Sequence, residues 1–346
     1  MRRALLFVHR WLGLTAGVVF AITALTGAIL VYSGDLDVLL DGAPYQTQSG
    51  PSEPDAISSA VQRSLPGSRL VRVVWPNEAG NILLVRLIDN GTHREFELDA
   101  GSGALRRPSP RHPLLRAIRR LHTSLLAGRL GSYLVWYATL ASLGSLVLGV
   151  WLWWPGIRRI TTGFRLRLRR NMFVVVLDAH QTLGILALPL LLTMAVTAIV
   201  FDPVALRVAE RLVNGANTVD WARLRSASSA AAPDIGLAGA ARAAQAASNN
   251  ATLQSVTFPQ NSDGIVDVRM RDAEGLASTR LALDRRTGEI LARVRLRYDE
   301  DLNFRLHSGL VGGDVVRALY SAACLVGFSL LPTGVAVWWI RRRRTL

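Results

Sequence analysis

Four stretches of this chain contain no Asp, Glu, Lys or Arg: Trp11 to Tyr32, Ser132 to Ile157, Ala179 to Phe201 and Ala318 to Ile340, the shortest of them 22 residues long. A helix of that length crosses a hydrocarbon layer about 30 Å thick. Within such a layer each backbone N–H and C=O needs an internal partner, which a helix supplies along its whole length. The sequence therefore predicts a membrane α-helical protein built on a four-transmembrane-helix bundle. Half of the 346 residues are hydrophobic, and they are concentrated in these spans rather than spread over several soluble cores.

The formal charge of +15 is distributed unevenly. Arg2, Arg3 and Arg10 precede the first span. Arg158, Arg159, Arg165, Arg167, Arg169 and Arg170 lie between the second and third, and Arg341 to Arg344 follow the fourth. Basic residues flanking spans mark the cytoplasmic side, so both termini are expected there. The basicity then reports topology and contact with the anionic lipid bilayer, and no nucleic-acid partner is expected. Cys324, the single cysteine, excludes a disulfide framework, a CxxCH motif for covalent haem and a Cys-ligated cluster, and reads as a small core residue. The first span exceeds the apolar region of a usual secretion signal and is expected to be an uncleaved anchor.

The chain also repeats itself. Leu121-His122-Thr123 returns as Leu306-His307-Ser308, and Gly149-Val150 and Trp153-Trp154 return as Gly334-Val335 and Trp338-Trp339, all 185 residues later. At an offset of 171, His9, Leu12, Gly13, Ala24 and Thr26 are answered by His180, Leu183, Gly184, Ala195 and Thr197. An internal duplication follows, each half being helix, outer loop, helix. The expected segments are 1–32 (transmembrane helix 1), 33–110 (first periplasmic domain) and 111–157 (amphipathic segment and helix 2). A basic cytoplasmic loop at 158–172 leads to helix 3 at 173–201. The second periplasmic domain, 202–304, precedes helix 4 at 305–340 and a cytoplasmic tail at 341–346.

Each outer loop contains strand-like runs before a turn signal. In the first these are Arg69 to Trp75, Ile82 to Ile88 and Glu95 to Leu98, running into Asp99-Ala-Gly-Ser-Gly103. In the second they are Leu253 to Phe258, Ile265 to Arg271 and Ser278 to Leu283, before Asp284-Arg-Arg-Thr-Gly288. Ala-rich Ser226 to Ala247 is expected to form a helix and a linker. These strand-Asp-x-x-x-Gly-strand units resemble PepSY domains. With the HRWLG and LHSGL segments beside the spans, the chain resembles the PepSY-associated transmembrane family, over nearly its whole length. The resemblance implies two extracytoplasmic α+β PepSY-like domains on the bundle and a bacterial inner-membrane ferric-siderophore reductase carrying b-type haem.

Four of the six histidines lie at span ends. The topology pairs His9 with His180 on the cytoplasmic side and His122 with His307 on the outer side, one from each half. A six-coordinate haem b needs two neutral imidazoles from opposite directions, and facing helices with small residues beside the histidines offer such a slot. Zinc or copper would want three or four ligands. These four are therefore the expected axial ligands of two haems, against the alternative that they are interfacial residues capping helix ends. His93 and His112 read as surface residues, although His112 could sit near a substrate.

Asp178, two residues before His180, is open to four readings: orienting a ligand, carrying a proton, pairing with Arg10 or simply sitting at the interface. Arg106, Arg107, Arg111, Arg116, Arg119 and Arg120 form a basic run on the outer side, suited either to haem propionates or a ferric chelate, or to anionic headgroups. The tryptophan pairs 153–154 and 338–339 are expected to anchor the inner interface.

The leading functional expectation is a di-haem reductase taking electrons from a cytoplasmic or quinol donor to periplasmic Fe(III), the siderophore substrate being implied by the resemblance alone. Gly309 to Gly313 follows no strand of a βαβ unit, so no flavin or NAD site is expected. The alternative is a non-catalytic PepSY membrane protein regulating a periplasmic protease or sensor. A small metal permease would need polar groups through the mid-membrane, where the spans offer mainly Thr and Ser.

Overall fold

The structure is a computed structural model that describes residues 1–41, 53–75, 82–99, 104–106, 112–215, 219, 221, 223–226, 233–248, 251–261, 263–272 and 277–343. In chain order the elements begin with α1 (Arg2–Leu30), α2 (Ser33–Asp41) and α3 (Pro54–Ser64). Next come β1 (Arg69–Val74), β2 (Ile82–Asp89), β3 (Thr92–Asp99) and β4 (Leu105–Arg106). Then follow α4 (Pro113–Ser124), α5 (Gly128–Trp153), a 3-10 helix (Ile157–Phe164), α6 (Met172–Val200), α7 (Pro203–Asn214) and α8 (Gly236–Ala247). The chain ends with β5 (Thr252–Thr257), β6 (Val266–Arg271), β7 (Ser278–Leu283), β8 (Ile290–Leu296), α9 (Glu300–Ser308) and α10 (Gly313–Arg343). Two compact units result. One comprises Met1–Leu40, His112–Leu206 and Glu300–Leu346, the other Asp41–Arg111 and Arg207–Asp299.

In the first unit α1, α5, α6 and α10 are the four helices long and apolar enough to span a bilayer. Helix α1 packs on α5 and α10, and α6 packs on the same two, so the spans form a ring with α1 and α6 on one diagonal. Apart from Asp178 and Leu191 in α6 and Tyr320 in α10, their buried positions are small, among them Ala21, Ala24 and Ala28 in α1, Ala138 and Ser145 in α5, Ala187 and Ala195 in α6, and Ala323 and Gly327 in α10. Lipid solvates large apolar side chains as well as another helix would, so close backbone approach at small residues drives association. Leu140, Val147, Leu186 and Leu319 are accordingly exposed.

The segments leading into α5 and α10 are separate helices. Leu125 caps α4 in the left-handed region at φ 49°, and Gly128 opens α5 at φ 56°. The same break recurs at Gly309 and Gly313, with φ 76° and 65°. His122 and His307 thus sit on short helices, α4 and α9, that dock on α1 and α6.

The second unit is one antiparallel sheet of eight strands in the order β4-β3-β2-β1-β5-β6-β7-β8. The sequence predicts two small domains; the structure joins them, because β1 pairs with β5 through Arg72↔Thr257, Val73↔Val256 and Val74↔Ser255. Helices α3 and α8 pack together, and Ile57, Val61, Leu237, Ala240 and Ala244 meet Val73, Leu83, Val85, Val256 and Val268 in a single core. Burial of each large aliphatic side chain stabilises this core by about 2 kcal/mol, so neither half's strands and helix keep a separate interior.

The strand runs predicted from sequence form, and α8 forms within the Ala-rich stretch, whose residues 227–232 lie outside the described residues. Strand β8 is the strand that the Asp-x-x-x-Gly unit expects after its turn, and the structure gives it the bounds Ile290–Leu296. The Asp284 turn shows why aspartate and glycine bracket that motif. Asp284 accepts from the N–H of Arg286 (2.9 Å) and Thr287 (3.0 Å), while Gly288 takes φ 75°. The Asp284 N–H donates to the Glu289 carbonyl at 2.8 Å, and 185 residues earlier the Asp99 N–H donates to the Ala104 carbonyl at 3.0 Å. Residues 100–103 of that first turn lie outside the described residues.

Candidate functional site

The structure brings the four span-end histidines into the two predicted pairs. His9 on α1 faces His180 on α6 with ring centroids 6.4 Å apart, and His122 on α4 faces His307 on α9 at 6.2 Å. Thr26, which touches His122, follows His9 by 17 residues, and Thr197, which touches His307, follows His180 by 17, so about 25 Å of helix separates the two pairs.

Every one of these rings is held through Nδ1. His9 Nδ1 donates to the Ser145 carbonyl at 3.0 Å and His122 Nδ1 to the Thr23 carbonyl at 2.9 Å. His307 Nδ1 donates to the Met194 carbonyl at 3.1 Å and His180 Nδ1 to Thr333 Oγ1 at 2.9 Å. A carbonyl only accepts, so the proton sits on Nδ1. Thr333 Oγ1 spends its own hydrogen on the Ser329 carbonyl at 2.7 Å and accepts from His180 by the same logic. Nδ1 of each imidazole therefore carries a proton, so that in the neutral ring it is Nε2 that offers the lone pair with which histidine binds a metal. Thr26 and Thr197 reinforce this at 3.1 Å each.

Each ring leans on its own half of the chain, His9 on α5 and His122 on α1, His180 on α10 and His307 on α6. Each pair, by contrast, joins the two halves. Glycines leave the rings room: a Cβ would stand 3.4 Å from His9 Cε1 at Gly149, 3.5 Å from His180 Cε1 at Gly334 and 3.3 Å from His122 Cε1 at Gly27. Two imidazoles bonded at about 2 Å to one iron place their centroids about 6–6.5 Å apart. Both pairs fall in that interval, so the residues present fit a bis-histidine haem at either end. Among the described residues no three His, Cys, Asp or Glu side chains converge into a group that could hold a metal ion.

A cavity of about 560 Å3 surrounds the His9–His180 pair, walled by apolar side chains and the glycines Gly13, Gly17, Gly149, Gly184 and Gly334. That is within the roughly 300–1,000 Å3 of cofactor sites. Trp153 and Trp338 line it, whereas Trp154 and Trp339 are half exposed, so the first residue of each pair faces inward and only the second is placed as an interface anchor.

Asp178 does not reach Arg10. Its carboxylate, 5% exposed, accepts from Arg167 Nε (2.9 Å), Nη2 (2.8 Å) and backbone N–H (3.1 Å), which ties the loop after α5 to α6 beside His180. Asp178→Asn should cost about 1–2 kcal/mol, at the low end because Arg167 is half exposed. Faster tryptic cleavage at Arg165 to Arg170, with the thermal midpoint slightly lowered, is the expected result.

His112 caps α4, its Nδ1 accepting from the Leu114 N–H at 3.3 Å, and its own N–H donates to Asp37 at 2.8 Å. His93 is exposed on β3. The basic run divides: Arg116, Arg119 and Arg120 lie on α4, Arg106 on β4, and Arg107 and Arg111 lie outside the described residues. The Nδ1 partners are what sequence reasoning missed, although Thr26 and Thr197 already stand out as a match at the 171 offset.

Four spans and a separate antiparallel sheet make this a multi-pass membrane protein with PepSY-like architecture. No curated protein matches the chain. A family model described as the PepSY-associated TM region matches residues 6–341. The chain therefore belongs to the PepSY-associated transmembrane family.

Proposed function

We propose that the protein is an inner-membrane di-haem reductase that passes electrons across the bilayer to periplasmic Fe(III), with a ferric siderophore as substrate. The observation that carries the reading is the pair of imidazole couples, one at each end of the bundle, spaced for a shared iron and locked with Nε2 free to bind it. When bound, each haem supplies reversible one-electron exchange at its iron.

The chain's own residues bind and orient. His9 and His180 hold one haem, His122 and His307 the other, and the carbonyls of Ser145, Thr23 and Met194, with Thr333 Oγ1, keep the rings in register and strengthen them as donors. The apolar walls of the bundle exclude water. The rule that basic residues flanking spans face the cytoplasm, applied to Arg2, Arg3 and Arg10, the loop after α5 and the tail, supports a cytoplasmic His9–His180 end and a periplasmic sheet unit. The repeated contacts at offsets of 171 and 185 support a tandem duplication in which each half supplies one ligand per site. Siderophores bind Fe(II) far less tightly than Fe(III), so reduction releases the metal. The donor is a separate cytoplasmic protein or a quinol.

The purified protein should show a Soret band and, when reduced, the sharp α and β bands of low-spin haem. Adding a ferric siderophore to the anaerobically reduced protein should restore the oxidised spectrum. A colourless protein from haem-supplemented cells would refute the reading, and a haem protein that stays reduced would refute its substrate.

A further inference from the structure

The cavity around His9 and His180 is charged at one end only. Arg3, Arg10 and Arg341 line it there, and no Asp or Glu lines it anywhere. Its other end is closed by Phe20, Leu188 and Gly327. Many arginines occupy this end of the bundle, but they do not all turn inward. Arg10 lines the cavity while its guanidinium lies over Phe7 at 5.5 Å and Trp11 at 5.7 Å; Arg342 and Arg343 lie over Trp338 and Trp339 at 5.7 and 4.9 Å and do not line it, whereas Arg341, seven residues or two turns beyond Gly334, lies on the face that carries that glycine against His180. No ion pair neutralises any of the three among the described residues.

We propose that Arg3, Arg10 and Arg341 clamp the two propionate carboxylates of the haem held between His9 and His180, turning its acidic edge toward the first turns of α1 and the last of α10. This rests on the haem reading of that cavity. A flat ligand with two carboxylates on one edge and an apolar remainder matches a slot with cations at one end, imidazoles in the middle and aliphatic groups at the other. The cations come from both ends of the chain, α1 and α10, which pack against each other. The positions answering Arg3, Arg10 and Arg341 in the repeat are Val174, Gln181 and Gly156, which carry no charge. The anionic edge is thus drawn to the α1–α10 side alone. Guanidinium groups suit the task because each offers paired N–H donors to a carboxylate.

The test uses the full-length haem-loaded protein in detergent, with the Arg3→Ala/Arg341→Ala double variant, the matching double lysine variant, and Arg159→Ala as a control outside the cavity. Haem transfer to excess apomyoglobin and the midpoint potentials are measured. In the alanine variant one of the two haems should leave on the order of tenfold faster, the scale of a lost charge-assisted hydrogen bond. Its potential should move negative, because removing cations favours the ferric state. The other haem should be unchanged, and lysine should restore most of the retention. Transfer rates and potentials equal to those of Arg159→Ala would overturn the clamp while leaving the haem reading intact. A parent spectrum unaltered by His9→Ala would overturn both.

Discussion

His9→Ala and His180→Ala should each remove the same haem, and His122→Ala and His307→Ala the other. In each case haem per polypeptide should fall by about half, and the haem that remains should keep its potential. The expectation follows from the centroid distances of 6.4 and 6.2 Å, which join α1 to α6 at one end and α4 to α9 at the other. A single imidazole leaves iron five-coordinate and loses a bond that nothing else among the described residues supplies. The double variant His9→Ala/His180→Ala should look like either single one, since both remove one shared cofactor. Losses that follow neighbours in sequence, His9 with His122, would show that the pairing is wrong.

Gly149→Leu and Gly334→Leu are expected to do nearly as much without touching a ligand. A Cβ at either position stands 3.4–3.5 Å from the Cε1 of His9 or His180, ordinary contact, so alanine should be tolerated. The further atoms of leucine occupy the cavity itself and press the imidazole away from its Nδ1 partner. The haem at the His9–His180 end should be lost and the one at the other end retained. The protein should still insert and elute as the parent does, because the site faces a cavity rather than a packed helix contact. Visible spectra of the purified variants with haem-to-protein ratios measure this. Equal loss of both haems would point to a general failure of the bundle.

Much of this arrangement is legible in the residues because it is written locally. An uncharged run of 22 residues has one stable form in lipid, and a strand with a polar turn declares itself within ten residues. The histidine pairs are legible for another reason: topology sorts span ends by side, and only two partners are left at each end. What the sequence hides depends on distant contacts. Nothing in RLVRVV says that β1 lies against β5 rather than at an edge, since the pairing joins residues more than 180 positions apart. Arg167 is one arginine among six in its loop, and only the fold selects it for Asp178. Gly128 separates α4 from α5 and its match Gly313 separates α9 from α10, each with a positive φ angle that breaks the helix.

The seam between β1 and β5 has a consequence for biosynthesis. When the first segment of the sheet unit emerges, β1 has β2 on one flank and a bare row of N–H and C=O groups on the other. Its partner is supplied only after α5, α6 and the residues up to Thr257 have been made. Until then that flank is an open template for pairing with another chain. Passage through this waiting state, rather than insertion of the spans, should set how much of the newly made protein escapes aggregation, and a chaperone that shields strand edges should raise the yield.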